Sequence, residues 1–311
     1  MRSNTLQLEK HAQLWDGVPE VKVPCLLAFQ PVYTSYVREV GLMQQGIVAE
    51  KLSAGYGDTP VFQNLNLKIL PGKITTLIGT NGSGKSTILK TLSRLLTPTE
   101  GTVCLDGDSI FRMSTRAVAQ RLAVLPQGAQ TPSGITVKDL VEYGRYPYRK
   151  RLSGLTSKDE EIIKWAMGST NMLNMAGREM DQLSGGQKQR AWIAMALAQK
   201  TGILFLDEPT TYLDISHQLE ILQLLKQLNR KQGVTVVMVL HDLNHAIMFS
   251  DHLVTIKNGE KYLEGPPERV VTPHMLREVF DVEAEVIQHP VLNVPVCLPY
   301  GVRGQIFGKQ T

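Results

Sequence analysis

Residues 74–90 read ITTLIGTNGSGKSTILK: a β-prone apolar run, a glycine-rich loop, then the start of an amphipathic helix. Gly79, Gly84, Lys85 and Ser86 complete the pattern G-x-x-x-x-G-K-[ST]. The residue types answer what a polyphosphate demands. Glycines let consecutive backbone N–H groups turn inward into an anion-binding nest, and the following helix N-terminus adds partial positive charge. Lys85 is placed to reach the β- and γ-phosphates, and the Ser86 hydroxyl to ligate Mg²⁺. Gly79, Asn81, Gly82, Ser83, Gly84, Lys85, Ser86 and Thr87 therefore predict a nucleoside triphosphate site.

The rest of the composition narrows the setting. The 311 residues are 42% apolar and 20% charged, the profile of an ordinary globular chain with room for one large domain and appendages. A net charge of +4 without a dense Lys/Arg block gives no nucleic-acid footprint. No run of about 18 apolar residues is present, so no spanning helix is expected. The first thirty residues, broken by Glu9, Lys10, Asp16 and Glu20, do not resemble a signal peptide. Cys25, Cys104 and Cys297 are scattered, as in a reduced intracellular protein.

Taken in order, residues 1–42 carry Pro19, Pro24 and Pro31 and no sustained period, and read as an extension, with Met43 as an alternative initiator. Ile47–Leu52 and Val61–Ile69 alternate as antiparallel strands do. Gly101–Asp106 and Ala123–Leu125 are further short strands. From about 130 to 185 the pattern turns helical, too long for a simple link, and predicts an inserted α-helical subdomain. Ile203–Leu206 and Val234–Leu240 are continuous apolar runs of the kind buried on both faces. Asp214–Arg230 is an amphipathic helix, and Asn258–Gly259 marks a hairpin. The expected fold is α/β, with a mostly parallel core sheet, an antiparallel β-subdomain and the helical insertion. The expected division is an extension at 1–42, the main domain at 43–285 and a Pro-punctuated tail at 286–311.

A second constellation joins the loop. Ile203–Leu206 ends in Asp207-Glu208, two carboxylates at a sheet edge where open α/β proteins bind ligands. Asp207 is placed to hold Mg²⁺, and Glu208 to polarise an attacking water. Gln127, after a short strand, is either a turn residue or an amide that ligates Mg²⁺ and senses the γ-phosphate. His241 is either a cap or a donor to a phosphate oxygen. Tyr56 is either a surface aromatic or a ring that stacks on a purine.

Between these motifs stands Leu183-Ser184-Gly185-Gly186-Gln187, which resembles the signature of ATP-binding cassette (ABC) proteins. With it, Gly79–Thr87 resembles the Walker A loop and Ile203–Glu208 the Walker B strand with its catalytic glutamate. Gln127 matches the Q-loop, Asp214 the D-loop, His241 the switch histidine and Tyr56 the aromatic A-loop. The resemblance covers about residues 47–285. It implies a P-loop ABC ATPase with ATP and Mg²⁺ as cofactors. It implies a head-to-tail dimer in which Ser184, Gly185, Gly186 and Gln187 of one copy close on ATP held by the other. It implies two transmembrane permease subunits, a substrate-binding protein acting indirectly, and a place on the cytoplasmic face of the cell membrane. The stretch Val141–Tyr148 resembles that of importers for ferric siderophores, haem and cobalamin, and QRAWIAMALAQ (189–199), TTYLDISHQ (210–218) and the tail 266–282 look most like the ferric-siderophore importers, with haem and cobalamin importers next. DNA-repair ATPases need long coiled coils or zinc modules between the nucleotide motifs, translation-factor ATPases carry two cassettes, and exporters usually fuse spanning helices to theirs.

Overall fold

In the computed structural model, which describes residues 46–129, 131–149, 154–211 and 213–306, the chain opens with an antiparallel pair. Strand β1 (Ile47–Tyr56) turns at Gly57–Asp58 into β2 (Thr59–Ile69). Bulges near Leu52 and Ala54 break the alternation of β1, which is why the sequence pattern stops at Leu52 although the strand runs on to Tyr56. Then come β3 (Ile74–Ile78), α1 (Lys85–Leu92), β4 (Glu100–Leu105), β5 (Asp108–Ser109), α2 (Thr115–Ala119) and β6 (Leu122–Leu125). The order β2-β1-β4-β5 makes one antiparallel sheet, the expected β-subdomain.

The helical insertion follows as α3 (Val137–Tyr143), α4 (Ser157–Ser169) and α5 (Gly185–Ala198). Each starts at a capping box: Thr136 with Asp139, Thr156 with Asp159, Ser184 with Gln187. Leu140, Val141, Ile162, Ile163 and Ala166 join Ile193, Ala194 and Leu197 of α5 in one core.

The chain then runs through β7 (Ile203–Asp207), α6 (Ile215–Gln232), β8 (Thr235–Val239), α7 (Leu243–Phe249), β9 (His252–Lys257) and β10 (Glu260–Gly265). The central sheet has the order β10-β9-β3-β8-β7-β6, parallel throughout except for β10. Its hairpin turns at Asn258 (φ 49) and Gly259 (φ 80), the pair of positive φ values that the Asn-Gly dipeptide predicts. Neighbouring residues of its strands point to opposite faces. Ile74, Ile78, Leu204, Leu206, Val236 and Met238 face the helical core, while Leu77, Ile203, Phe205, Val237 and Val239 face the β-subdomain and α1. Burial on both faces explains the unbroken apolar runs.

The chain closes with α8 (Pro267–Val270), α9 (Pro273–Phe280), β11 (Val282–Gln288), β12 (Pro295–Val302) and β13 (Gln305–Ile306). The expected division at 285/286 falls inside β11. Residues up to 306 form a three-stranded sheet, β11-β12-β13, with Ala284 and Cys297 in the main core. The Asn244 side chain of α7 clamps Cys297, accepting from its N–H at 2.9 Å and donating to its carbonyl at 3.2 Å. Prolines hid this strand. Pro295 opens it, and Pro299 lies where β13, which pairs only with Gly301 and Val302, leaves one side of β12 unladdered. The expected extension at 1–42 lies outside the described residues. No described helix is long and apolar enough to cross a membrane.

Candidate active site

Parallel strand order puts the predicted residues on one edge. Strands β3, β7, β8 and β6 all end there, delivering the loop from Gly79, the pair Asp207-Glu208, His241 and Gln127 respectively. The loop itself is tightly seated. Gly79 (φ 153) has its α-carbon so close to β9 that a Cβ would stand 2.2 Å from the Ile256 carbonyl oxygen. Gly84, at φ 102, is the N-cap of α1, and the Gly259 N–H donates to the Ser83 carbonyl at 3.0 Å, pinning the loop to the hairpin. Asn81 and Gly82 are exposed on its outer rim, and Thr87 is buried in the first turn of α1.

Lys85 curls back over the loop, with Nζ donating to the carbonyls of Gly79 at 2.9 Å and Thr80 at 2.8 Å. Burial pushes its ammonium pKa down, while the nearby Glu208 and Asp207 carboxylates oppose that shift. Ser86 Oγ donates to Asp207 Oδ1 at 2.8 Å. The other oxygen, Asp207 Oδ2, is buried without a hydrogen-bond partner, as is Ser83 Oγ in the loop. Burial raises the Asp207 pKa, and the neighbouring Glu208 adds to the rise against the Ser86 bond. A hydroxyl and a carboxylate side by side, one oxygen unsatisfied, are hard oxygen donors that fit a small divalent cation.

Glu208 gathers the rest. Its Oε1 meets His241 Nε2 at 2.5 Å, and its Oε2 accepts from Gln127 Nε2 at 2.6 Å and from Thr211 Oγ1 at 3.1 Å. The glutamate side chain is nearly buried, at 9% exposure, while His241 is 43% exposed. Its backbone is left-handed (φ 55), which a β-carbon disfavours and which turns the chain sharply out of β7. A carboxylate so held can accept a proton from a water at the loop. Thr211 escaped the sequence reading; its only signal is a hydroxyl three residues after the carboxylate.

The remaining predicted residues stand apart from this cluster. Tyr56 ends β1 and is 52% exposed. Ser184 and Gln187 satisfy each other, Ser184 N donating to Gln187 Oε1 at 3.1 Å and Gln187 N to Ser184 Oγ at 3.3 Å. Ser184 and Gly185 are exposed, and Gly186 is close-packed, since a Cβ there would lie 3.2 Å from Leu213 Cδ2. Among the described residues no hydrogen bond or ion pair joins Ser184–Gln187 to the loop or to Glu208. Asp214 caps α6, accepting from His217 N at 2.9 Å and Ser216 Oγ at 2.9 Å; these bonds lower its pKa to about 2. Metal-ligand clusters of three or more His, Cys, Asp or Glu are absent among the described residues.

Comparison with known proteins agrees with this geometry. A family model described as ABC transporter matches residues 62–211. The chain is 53% identical over 251 residues to the iron(3+)-hydroxamate import ATP-binding protein of Bacillus subtilis, covering 81% of this chain and 93% of the relative. It is 46% identical over 252 residues to the ferric enterobactin transport ATP-binding protein of Escherichia coli K12, covering 81% and 93%. Among solved structures, a putative metal-chelate type ABC transporter in an inward-facing conformation superposes with a TM-score of 0.71 at 27% identity, covering 83% of this chain and 98% of that one. A dimeric bacterial ABC transporter cassette superposes at 0.64 and 30% identity, covering 71% and 98%.

Proposed function

The chain belongs to the ABC transporter family, and from that premise we propose that it drives the import of ferric siderophores, hydroxamates foremost, as the ATP-hydrolysing subunit. The family binds ATP with Mg²⁺, hydrolyses it and couples hydrolysis to transport. The observation that carries the cargo class is the 53% identity, over most of both chains, to an iron(3+)-hydroxamate import ATP-binding protein.

In this reading the residues divide the work by chemistry. Backbone N–H groups of Gly79–Thr87 and the Lys85 ammonium bind the phosphates, and the Tyr56 ring stacks on the base. Ser86, Asp207 and Gln127 hold Mg²⁺, which when bound offsets charge on the phosphate oxygens. Glu208 accepts the proton of the attacking water as the bond to the γ-phosphorus forms and the β,γ-bridging bond breaks. His241, Gln127 and Thr211 fix that carboxylate, and His241 also donates to the γ-phosphate. Ser184, Gly185 and Gly186 complete the site of a second copy, Gln187 holds Ser184 in place through the capping box, and Asp214 lies at the same seam. Two permease subunits on the cytoplasmic side of the membrane receive the motion, and a substrate-binding protein delivers the cargo.

The test is uptake of radiolabelled ferric hydroxamate in a Bacillus subtilis strain lacking its iron(3+)-hydroxamate import ATP-binding protein. Wild-type chain is expected to restore uptake, and Glu208→Gln is not. Failure of the wild type, with hydrolysis intact, would refute the hydroxamate assignment but leave the ATPase.

A further inference from the structure

Between Asp207-Glu208 and α6 the chain passes through Thr210, Thr211 and Leu213, and a side chain from the helix ties this stretch down. Gln218, half-buried one turn into α6, turns its amide back toward the chain ahead of the helix. Its Nε2 donates to the Leu213 carbonyl at 3.0 Å and to the Thr210 carbonyl at 3.3 Å. Both of the donors that such an amide carries are thereby engaged. The helix itself does not require them, because Asp214 already caps α6 through the His217 N–H. Thr210 and Leu213 are joined again by the Leu213 N–H, which donates to the Thr210 carbonyl at 3.4 Å.

The stretch so held touches Glu208 at two points. The Thr211 hydroxyl donates to Oε2 at 3.1 Å, and the Thr211 N–H to the Glu208 carbonyl at 3.3 Å. The other partners of that carboxylate, His241 and Gln127, come directly after β8 and β6 and inherit the rigidity of the central sheet. Thr211 follows the left-handed turn at Glu208 (φ 55) and lies in no helix or strand. From 3.1 Å, a displacement of about 0.5 Å takes its hydroxyl out of hydrogen-bond range. A loop hydroxyl on a catalytic carboxylate therefore needs an anchor of its own.

We propose that Gln218 is a positioning residue for ATP hydrolysis. By holding the Thr210 and Leu213 carbonyls it fixes the backbone on both sides of Thr211 and keeps that hydroxyl on Glu208. This role rests on the reading of Glu208 as the group that accepts the proton of the attacking water. Gln218 acts on Glu208 through Thr211. For the reaction, losing the amide and losing the hydroxyl are therefore one event, and losses that share one event do not multiply.

Steady-state ATP hydrolysis by the full chain tests this in a double-mutant cycle. Thr211→Val exchanges the hydroxyl for a methyl, and Gln218→Met keeps the side-chain length and removes both donors. Each is expected to lower kcat about fivefold, the worth of one hydrogen bond, with KM for ATP within about twofold of wild type. Thr211→Ser, which keeps the hydroxyl, is expected to stay within about twofold of wild type. The double variant is expected to match Thr211→Val within about twofold, where independent losses would reach about 25-fold. Wild-type kcat in Gln218→Met overturns the proposal, and so do losses that multiply. Wild-type kcat in Thr211→Val removes the hydroxyl from the reaction and overturns it as well. Glu208→Gln then separates the two readings: if it still hydrolyses ATP, the assignment of Glu208 fails too, and if it does not, the anchor alone fails. Where Gln218→Met does not fold, as judged by urea unfolding, Gln218→Glu takes its place, an acceptor-only side chain of the same size with the same expected loss.

Discussion

The phosphate-binding half of this site and its signature half come from one chain but are assembled in different ways. The first is gathered from four strand ends, so Gly79, Gln127, Glu208 and His241, far apart in sequence, share an edge, where Gln127 and His241 both meet Glu208. The second is one contiguous stretch, Ser184–Gln187, whose capping box is closed by its own residues. Among the described residues this stretch has no hydrogen bond or ion pair to the other half, and Ser184 and Gly185 are exposed, which is compatible with the proposed use of the stretch by a second copy. That difference is what a head-to-tail dimer needs, and it can be tested by breaking each half separately.

The largest effect is expected in the first half. Glu208→Gln keeps the shape of the side chain and removes its capacity to take a proton. Steady-state ATP hydrolysis is expected to fall by about 10²–10⁴-fold while nucleotide binding persists. Hydrolysis within a factor of about two of wild type would remove Glu208 from the role given to it.

The signature half can be broken from its far end. Arg145 is buried, its Nε paired with Asp159 at 2.8 Å and its Nη1 donating at 2.8 Å to the Ala198 carbonyl that ends α5. Gly144 beside it packs so closely that a Cβ would stand 2.3 Å from the Met195 carbonyl. Arg145→Ala leaves the Asp159 carboxylate buried without its cation and the Ala198 carbonyl without its donor, and is expected to cost about 3–5 kcal/mol of stability in denaturant unfolding. The aspartate's own bonds to Thr156 and to Arg145 hold its pKa below the usual range against the rise that burial alone would give. Its stabilising share is therefore present above the ordinary aspartate pKa and is lost as pH falls through the lower, folded value. A loss under about 1 kcal/mol would mean that the insertion does not depend on this pair.

Lys85→Ala acts on the first half again, but on binding. Losing a charge-assisted contact to phosphate is expected to weaken ATP by about 10–100-fold, read by titration with a fluorescent analogue. Unchanged affinity would show that the backbone nest alone holds the phosphates.

How much of this was legible depends on whether the information was local. The loop and the Asn258–Gly259 hairpin each announce themselves within a few residues, and the structure has them in place. The parallel core could be read because strands buried on both faces exclude most polar residues. What stayed hidden was non-local or conformational. The left-handed backbone of Glu208, the Thr211 bond and the Arg145–Asp159–Ala198 junction join residues whose spacing carries no period. The sheet at β11–β13 was hidden by Pro295, which opens β12, and Pro299, which fits because β13 is so short.

The smallest effect is the most discriminating. Ser184→Ala and Gln187→Ala each break the same capping box from opposite sides, and each is expected to cost about 1 kcal/mol or less of folding stability. As structural changes the two are near equals. If Ser184 also reaches phosphate on a second copy, only its loss removes a hydroxyl from that contact. ATP-driven self-association of the Glu208→Gln background, measured by analytical ultracentrifugation, is then expected to weaken about tenfold with Ser184→Ala and less than about twofold with Gln187→Ala. Equal weakening would make the signature a helix cap and nothing more, and the contrast between the two halves would lose its functional meaning.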